Sequence, residues 1–270
     1  MDDLNDMIDM HKGMRQIEEV PEFWLKAIKS NPIRYVEEIA IIENRQNSGS
    51  YFGWFDWRNP KDYILIHETG RDPGTVYLDS IKRSQWYLRR IDRQKFYLQT
   101  NTRGAELAAS IFPVAHSGTV RYFRIPDYSL ALDEMHLPSP KSVSWLVQEV
   151  TSQTGVLLEV ECCGAINGHN VVSASTPFLN SVSAMIGVET DLRFRGQGLG
   201  SCAVGMLASR LLELGLMPVY ASDISNAPSM RIANSLFVAH IDLEFLFIGP
   251  WHLRKPEDSP PQDPDSLFME

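Results

Sequence analysis

Residues 193–201 read RFRGQGLGS, with Gly196, Gly198 and Gly200 at alternate positions behind Arg193 and Arg195. Glycine reaches backbone conformations closed to other residues and lets a second molecule come close to the main chain. Upstream, residues 181–190 (SVSAMIGVET) are short, apolar and β-branched, which predicts a strand. Downstream, Leu199, Cys202, Ala203, Met206, Leu207, Leu211 and Leu214 recur at i, i+3, i+4 spacing. That spacing predicts a helix with one buried stripe, ended by Gly215. The loop therefore joins the C-terminal end of a strand to the N-terminus of a helix. Unpaired backbone N–H groups and the positive end of the helix dipole converge there and attract phosphate.

The spacing narrows the choice of phosphate ligand. A nucleoside triphosphate calls for GxxxxGK[ST], and no lysine follows these glycines. A dinucleotide calls for GxGxxG with an acidic residue about 20 positions on, and here the third glycine arrives one residue early. Arg-x-x-Gly-x-Gly fits in two overlapping registers, Arg193-Gly196-Gly198 and Arg195-Gly198-Gly200. This resembles the pyrophosphate-binding signature of the GNAT superfamily of acyl-CoA-dependent N-acyltransferases. The likeness continues through a strand running into Asn226 (217–226, MPVYASDISN), a short helix (227–238, APSMRIANSLFV) and a final strand (240–249, HIDLEFLFIG). Before the loop, residues 158–176 (LEVECCGAINGHNVVSAST) look like the hairpin that precedes the cofactor strand, turning at residues 167–170 (NGHN). The resemblance covers residues 157–250 and leans toward the glycine N-acyltransferase branch, through RGQGLGS and LGLMPVYASDISN. Members of that branch carry a degenerate GNAT-like half before the active one, which implies such a half here.

The resemblance implies roles position by position. Backbone N–H groups of Phe194, Arg195, Gly196, Gln197, Gly198, Leu199 and Gly200, with Ser201 beside them, would hold the pyrophosphate of coenzyme A, Arg193 and Arg195 adding charge. Thr190, with Val188, would offer hydrogen bonds at the strand end to the pantetheine arm or the thioester carbonyl. Asn226 and Ser229 would contact the far end of the arm. Acetyl-CoA, or another acyl-CoA, is the implied co-substrate, and no metal is required. The acceptor amine, of a small molecule or a peptide, would attack the thioester directly.

Three positions depart from the family pattern. Many GNAT members place a tyrosine seven residues after the asparagine as acid for the leaving thiolate, and this chain has Ala233. Phe237 replaces a glycine frequent near the end of that helix. Some branch members carry a glutamate base earlier on the cofactor strand, where this chain reads VSAM (182–185). Glu189, beside the thioester position, is the candidate base; Glu159, Glu161, His169 and His240 are the others. The departures keep a second function open, a GNAT-fold module that binds acyl-CoA as sensor or scaffold without transferring it.

Composition sets the frame. A chain of 270 residues with 44% hydrophobic and 22% charged content is globular. Three cysteines, two of them adjacent, form neither a disulfide framework nor a spaced zinc pattern, which fits a reducing cytoplasm. The aspartate-rich opening MDDLNDMIDMHKG is unlike a signal peptide, and no apolar run is long enough to span a bilayer. A formal charge of -9 argues against nucleic acid as partner. Residues 82–98 interleave cations with Trp86, Tyr87, Phe96 and Tyr97, which could stack bases but reads as a solvated face over half-buried aromatics. His67, Trp54 and Trp57 read as core or half-buried side chains. The expected organisation is an α/β chain with a mixed sheet: an N-terminal GNAT-like half (1–135), a C-terminal GNAT domain (136–254) behind the linker HLPSPKS (136–142), and a disordered acidic, proline-rich tail (255–270).

Overall fold

Trp24 and Ile28 lie four residues apart in Glu22–Lys29 and are buried together, so this segment winds as a helix, α1. The computed structural model describes residues 22–43, 50–56, 59–68, 74–78, 95–126 and 142–249. After α1 come α2 (Val36–Glu43), β1 (Ser50–Asp56), β2 (Asn59–Glu68), β3 (Gly74–Leu78), β4 (Phe96–Thr100), α3 (Thr102–Ile111) and β5 (Val114–Arg124). The second half runs β6 (Ser144–Thr151), β7 (Leu157–Ile166), β8 (His169–Leu179), β9 (Ser183–Thr190), a 3-10 turn (Leu192–Phe194), α4 (Leu199–Glu213), β10 (Met217–Asp223), α5 (Ala227–Leu236) and β11 (Val238–Ile248). The linker, the tail, Trp57, the Trp54 side chain and residues 82–94 lie outside the described residues. His67 is buried in β2 and Phe96 in the core, while Tyr97 packs against Phe245 and Phe247 of β11.

All described strands form one mixed sheet in the order β1-β2-β3-β4-β11-β5-β10-β9-β8-β7-β6. Only β3 with β4 and β9 with β10 run parallel. A parallel neighbour demands a crossover, which α4 supplies for the second pair. One face of α4, from Leu199 through Leu212, packs on β7, β8 and β9. The last strands of the two halves are exchanged. β11 lies between β4 and β5 of the first half, and β5 lies between β10 and β11 of the second.

The exchange exposes an internal repeat that motif reading missed. Asn101 and Asn226 each cap a ten-residue helix by accepting from the third residue of that helix, Gly104 and Ser229. Each helix buries an alanine, Ala108 or Ala233, whose carbonyl accepts from a capping phenylalanine, Phe112 or Phe237, at 2.8 Å. Val-Ala-His then opens each exchanged strand, at 114–116 and 238–240. The chain is built twice on one plan.

α2 lies over the opposite face, spanning both halves. Asn180 Nδ2 donates to the Val36 carbonyl and Ser183 Oγ to the Pro32 carbonyl, while Ile33 and Val36 pack with Met185 of β9. Its first two glutamates, Glu37 and Glu38, are buried, against the usual preference. Glu37 accepts from the hydroxyls of Tyr122 (2.7 Å) and Tyr77 (3.0 Å); Glu38 accepts from Tyr63 (2.8 Å) and Arg34 (3.0 Å). Burial pushes both carboxyls above the ordinary glutamate range. The folded chain then retains protons that the unfolded chain releases, so this contribution is complete in acid and is lost as pH rises toward the folded value. Glu37→Gln removes that loss and keeps hydrogen-bonding atoms for both phenols. Its melting temperature is expected to fall less than the parent's between about pH 5 and pH 8. Equal slopes in a calorimetric series would assign the pH dependence elsewhere.

Candidate functional site

Gly196 and Gly198 have φ of 77° and 80°, the left-handed region that costs other residues free energy. Gly198 is also the N-cap of α4 and brings no side-chain cap. The first intrahelical bond is made by Cys202 N to Gly198 O, so the amides ahead of it have no acceptor within the helix. A serine or aspartate cap would place its own oxygen there. Gly200 serves a different purpose. It is buried, and a Cβ on it would lie 3.0 Å from Ile232 Cδ1 and 3.4 Å from Thr190 Oγ1. Its bareness lets α4, β9 and α5 converge.

The helix terminus opens into a groove of about 540 Å³. One wall is the end of β9, Val188, Glu189 and Thr190; the floor is the loop and first turn, Phe194, Arg195, Gly196, Gly198, Leu199, Gly200 and Ser201. The other wall is the start of α5, Asn226, Pro228, Ser229, Arg231, Ile232 and Ser235. Twelve of the fourteen residues singled out from sequence therefore meet in one cavity; Arg193 and Gln197 are not among its lining. Arg193 is turned away. Its guanidinium grips Asp191 through Nε (3.1 Å) and Nη2 (2.7 Å), and it holds the Asp191 carboxyl down at about 2. Arg195 instead anchors Nε on the Thr190 carbonyl at 3.0 Å beside the groove.

Between the walls the sheet splits. β9 and β10 pair only from Ser183–Met217 to Ile186–Tyr220, although β9 runs on to Thr190 and β10 to Asp223. Their outer neighbours stay attached, Val172 to Thr190 and Val120 to Asp223. Gly187–Thr190 thus present an open backbone edge toward β10. In the repeat, β3 and β4 pair through Tyr77–Gln99, one residue from each strand end, and a Cβ on Gly104 would collide with Thr100 Oγ1. The first half is closed where the second is open.

Glu189 is exposed at the rim, opposite Ser173 of β8. Glu161 lies outside the groove lining and accepts from Gln148 (2.8 Å), Ser173 (2.9 Å) and the Cys163 thiol (3.0 Å), which hold its carboxyl below the usual range. Glu159, His169 and His240 are also outside the lining. Ser229 faces the groove with its hydroxyl 2.9 Å from that of buried Tyr220, whose ring stacks on Phe237. Pro228, Arg231, Ile232 and Ser235 escaped motif reading. Their three- and four-residue spacing along one helix face was the available signal. Among the described residues no group of three or more His, Cys, Asp or Glu could hold a metal, and no helix is long and apolar enough to cross a membrane.

No family model matches the chain, and no curated protein does. Solved structures do. A GCN5-related N-acetyltransferase-like protein from Streptococcus suis superposes with a TM-score of 0.56 at 14% identity, over 83% of this chain and 98% of that one. A GCN5-related N-acetyltransferase from Kribbella flavida matches at 0.52 and 13% identity, over 70% and 88%. A tandem GNAT protein from the clavulanic acid biosynthesis pathway matches at 0.52 and 13% identity, over 78% and 86%. With the strand split, the uncapped helix terminus and the doubled plan, these likenesses establish that the chain has the fold of the GCN5-related N-acetyltransferase (GNAT) superfamily.

Proposed function

We propose that the chain is an acyl-CoA-dependent N-acyltransferase, with acetyl-CoA as the expected donor and an amine as acceptor. One observation carries the reading: an open strand edge leads into an uncapped helix N-terminus within a single groove. The residues suit an extended ligand with a phosphate end. Amides of the first turn of α4, with Arg195, would receive the diphosphate. The Gly187–Thr190 edge would pair with the amide-bearing arm as a neighbouring strand does. Bound, the thioester supplies an activated acyl carbon and a thiolate leaving group.

Proton handling falls to this chain's own groups. Glu189, at the rim, is the acceptor for the proton of the incoming ammonium. Ala233, where the family tyrosine is expected, is fully buried, and a donor to the sulfur comes from elsewhere. The hydroxyls of buried Tyr220 and Ser229 lie 2.9 Å apart; with Tyr220 as the donor, the Ser229 hydrogen is free to point into the groove. Tyr220→Phe is expected to bind acetyl-CoA as the parent does and to turn over about tenfold more slowly, the worth of one oriented hydrogen bond. Steady-state kinetics with thiol detection checks it.

The buried alanine also favours a second reading, a module that holds acyl-CoA without transferring it. Both readings predict binding; only the first predicts acceptor-dependent release of coenzyme A. The deciding experiment is thiol release from acetyl-CoA across a panel of primary amines, amino acids and peptides, with Glu189→Gln as control. Release with some amine and a large loss in the variant support transfer, and binding without release from any of them supports the module.

A further inference from the structure

The face of the sheet beneath α2 can be followed strand by strand. Ile33 and Val36 cluster there with Met185 of β9, Val219 of β10, Tyr122 of β5 and Leu243 of β11. Side chains alternate between faces along a strand. Beyond those four, the same face therefore carries Glu189, Asp223, Gly118 and the pair Phe245 and Phe247. Tyr97 of β4 is paired with Phe247, and its ring lies 5.1 Å from that of Phe245 and 5.0 Å from that of Phe247. All three rings are half-buried. α4 packs on the other face, against Ile186 and Tyr220.

Two carboxylates flank the strand split on the α2 face. Extended past Ile186 and Tyr220, the β9–β10 register would set Asp223 against Glu189, but there the strands have parted. Asp223 Oδ1 accepts from Ser225 N at 2.7 Å and Oγ at 2.6 Å, while Oδ2 lies 3.1 Å from where a Cβ on Gly118 would be. The bare glycine lets the carboxylate lean over β5 toward Phe245, which is paired directly with Gly118. Paired Cβ positions lie about 5 Å apart, so a negative charge and an aromatic side chain stand on either side of one bare residue. The ligand that answers both carries a positive charge and, about two carbons away, a flat apolar body.

We infer that the acceptor is a primary amine borne on an aromatic body, its ammonium held between Glu189 and Asp223 and its ring on the shelf of Tyr97, Phe245 and Phe247. This rests on the acyl transfer proposed above and names its acceptor class. Glu189 takes one proton from the ammonium. The nitrogen then bonds the acyl carbon, the carbon–sulfur bond breaks with its electron pair leaving on sulfur, and the second proton lost from nitrogen goes to that sulfur. Tyr97 belongs to the first half and the two phenylalanines to the exchanged strand of the second. The half whose own strands stay closed thus builds part of the acceptor floor. An α-amino acid fits poorly, since its carboxylate would be set beside two others.

Thiol release from acetyl-CoA is measured on the full chain with 2-phenylethylamine, hexylamine and phenylalanine, and binding of each amine by calorimetry with coenzyme A present. The kcat/KM for 2-phenylethylamine is expected to exceed that for hexylamine about tenfold, the worth of a ring stacked among rings, and phenylalanine should be the poorest of the three. Phe245→Ala should bring the ratio of the first two amines close to one, and Tyr97→Leu should lower it. Asp223→Asn, which can still accept from Ser225, should raise KM for both amines while keeping their ratio. Hexylamine used as well as 2-phenylethylamine, or a ratio unmoved in Phe245→Ala, overturns the assignment and leaves acyl transfer standing. If 2-phenylethylamine binds with the expected dependence on Phe245 but no amine releases thiol, the transfer reading falls and the shelf stands as an amine site. If that amine neither binds nor reacts, the inference is overturned whatever other acceptor is found.

Discussion

Acetyl-CoA at a hundred times its dissociation constant should stabilise the parent chain by about 2.7 kcal/mol and should leave Gly198→Glu unmoved. The variant places a Cβ on a backbone with φ of 80° and a carboxylate over the first turn of α4. Left-handed geometry costs a non-glycine residue about 1 to 2 kcal/mol, so the variant also melts lower without ligand. The informative quantity is the ligand-induced shift, because a carboxylate at the helix N-terminus repels and displaces another anion there. Arg193→Gln should keep the parent's shift, since Arg193 is already engaged by Asp191 and is not in the groove lining. Differential scanning fluorimetry on the three chains decides it. A full shift in Gly198→Glu would remove the loop from the site.

Severing the chain in the segment between β5 and β6 is expected to leave each half unable to fold alone and both soluble when produced together. β11 is paired along β5 from Val238–Arg124 to Ile248–Val114 and along β4 from Glu244–Thr100 to Ile248–Phe96. It buries Leu243, Leu246 and Ile248, which at about 1.5 to 3 kcal/mol each amount to roughly 5 to 9 kcal/mol. That is comparable with the whole stability of an ordinary domain, about 5 to 15 kcal/mol. The second half alone would likewise lose β5 from between β10 and β11. Size-exclusion chromatography of the separate and co-produced halves checks this. A monomeric, cooperatively unfolding half would mean that the exchanged strand is dispensable.

The loop and its neighbours were legible because their chemistry is local. Apolar spacing from Leu199 marked α4, Asn226 announced the next helix, and the hairpin expected to turn over 167–170 turns at Asn167 and Gly168, with His169 and Asn170 already in β8. The two arginines show where that legibility stops. Arg193 and Arg195 share a motif, yet Asp191 draws one of them away, while Arg231 enters from α5, 36 residues beyond Arg195. Glu37 and Glu38 are of a type almost never fully buried unless paired. Phenols from β2, β3 and β5 make their burial tolerable, and Tyr122 is 85 residues away in sequence from Glu37. The repeat was present in the letters, in Asn101 and Asn226 and the two Val-Ala-His runs, but so short a signal gains meaning only once the two helices are seen capped alike.

By itself, then, the sequence determined the strand, glycine turn and helix whose terminus opens into the groove, since backbone freedom, capping and periodicity act over a few residues. Tertiary structure alone decided that β9 and β10 part after Ile186 and Tyr220, that β3 and β4 stay together, and that the final strands change places. Strand pairing is a contest among distant segments for the same hydrogen bonds and the same buried faces, and its outcome is a property of the whole sheet.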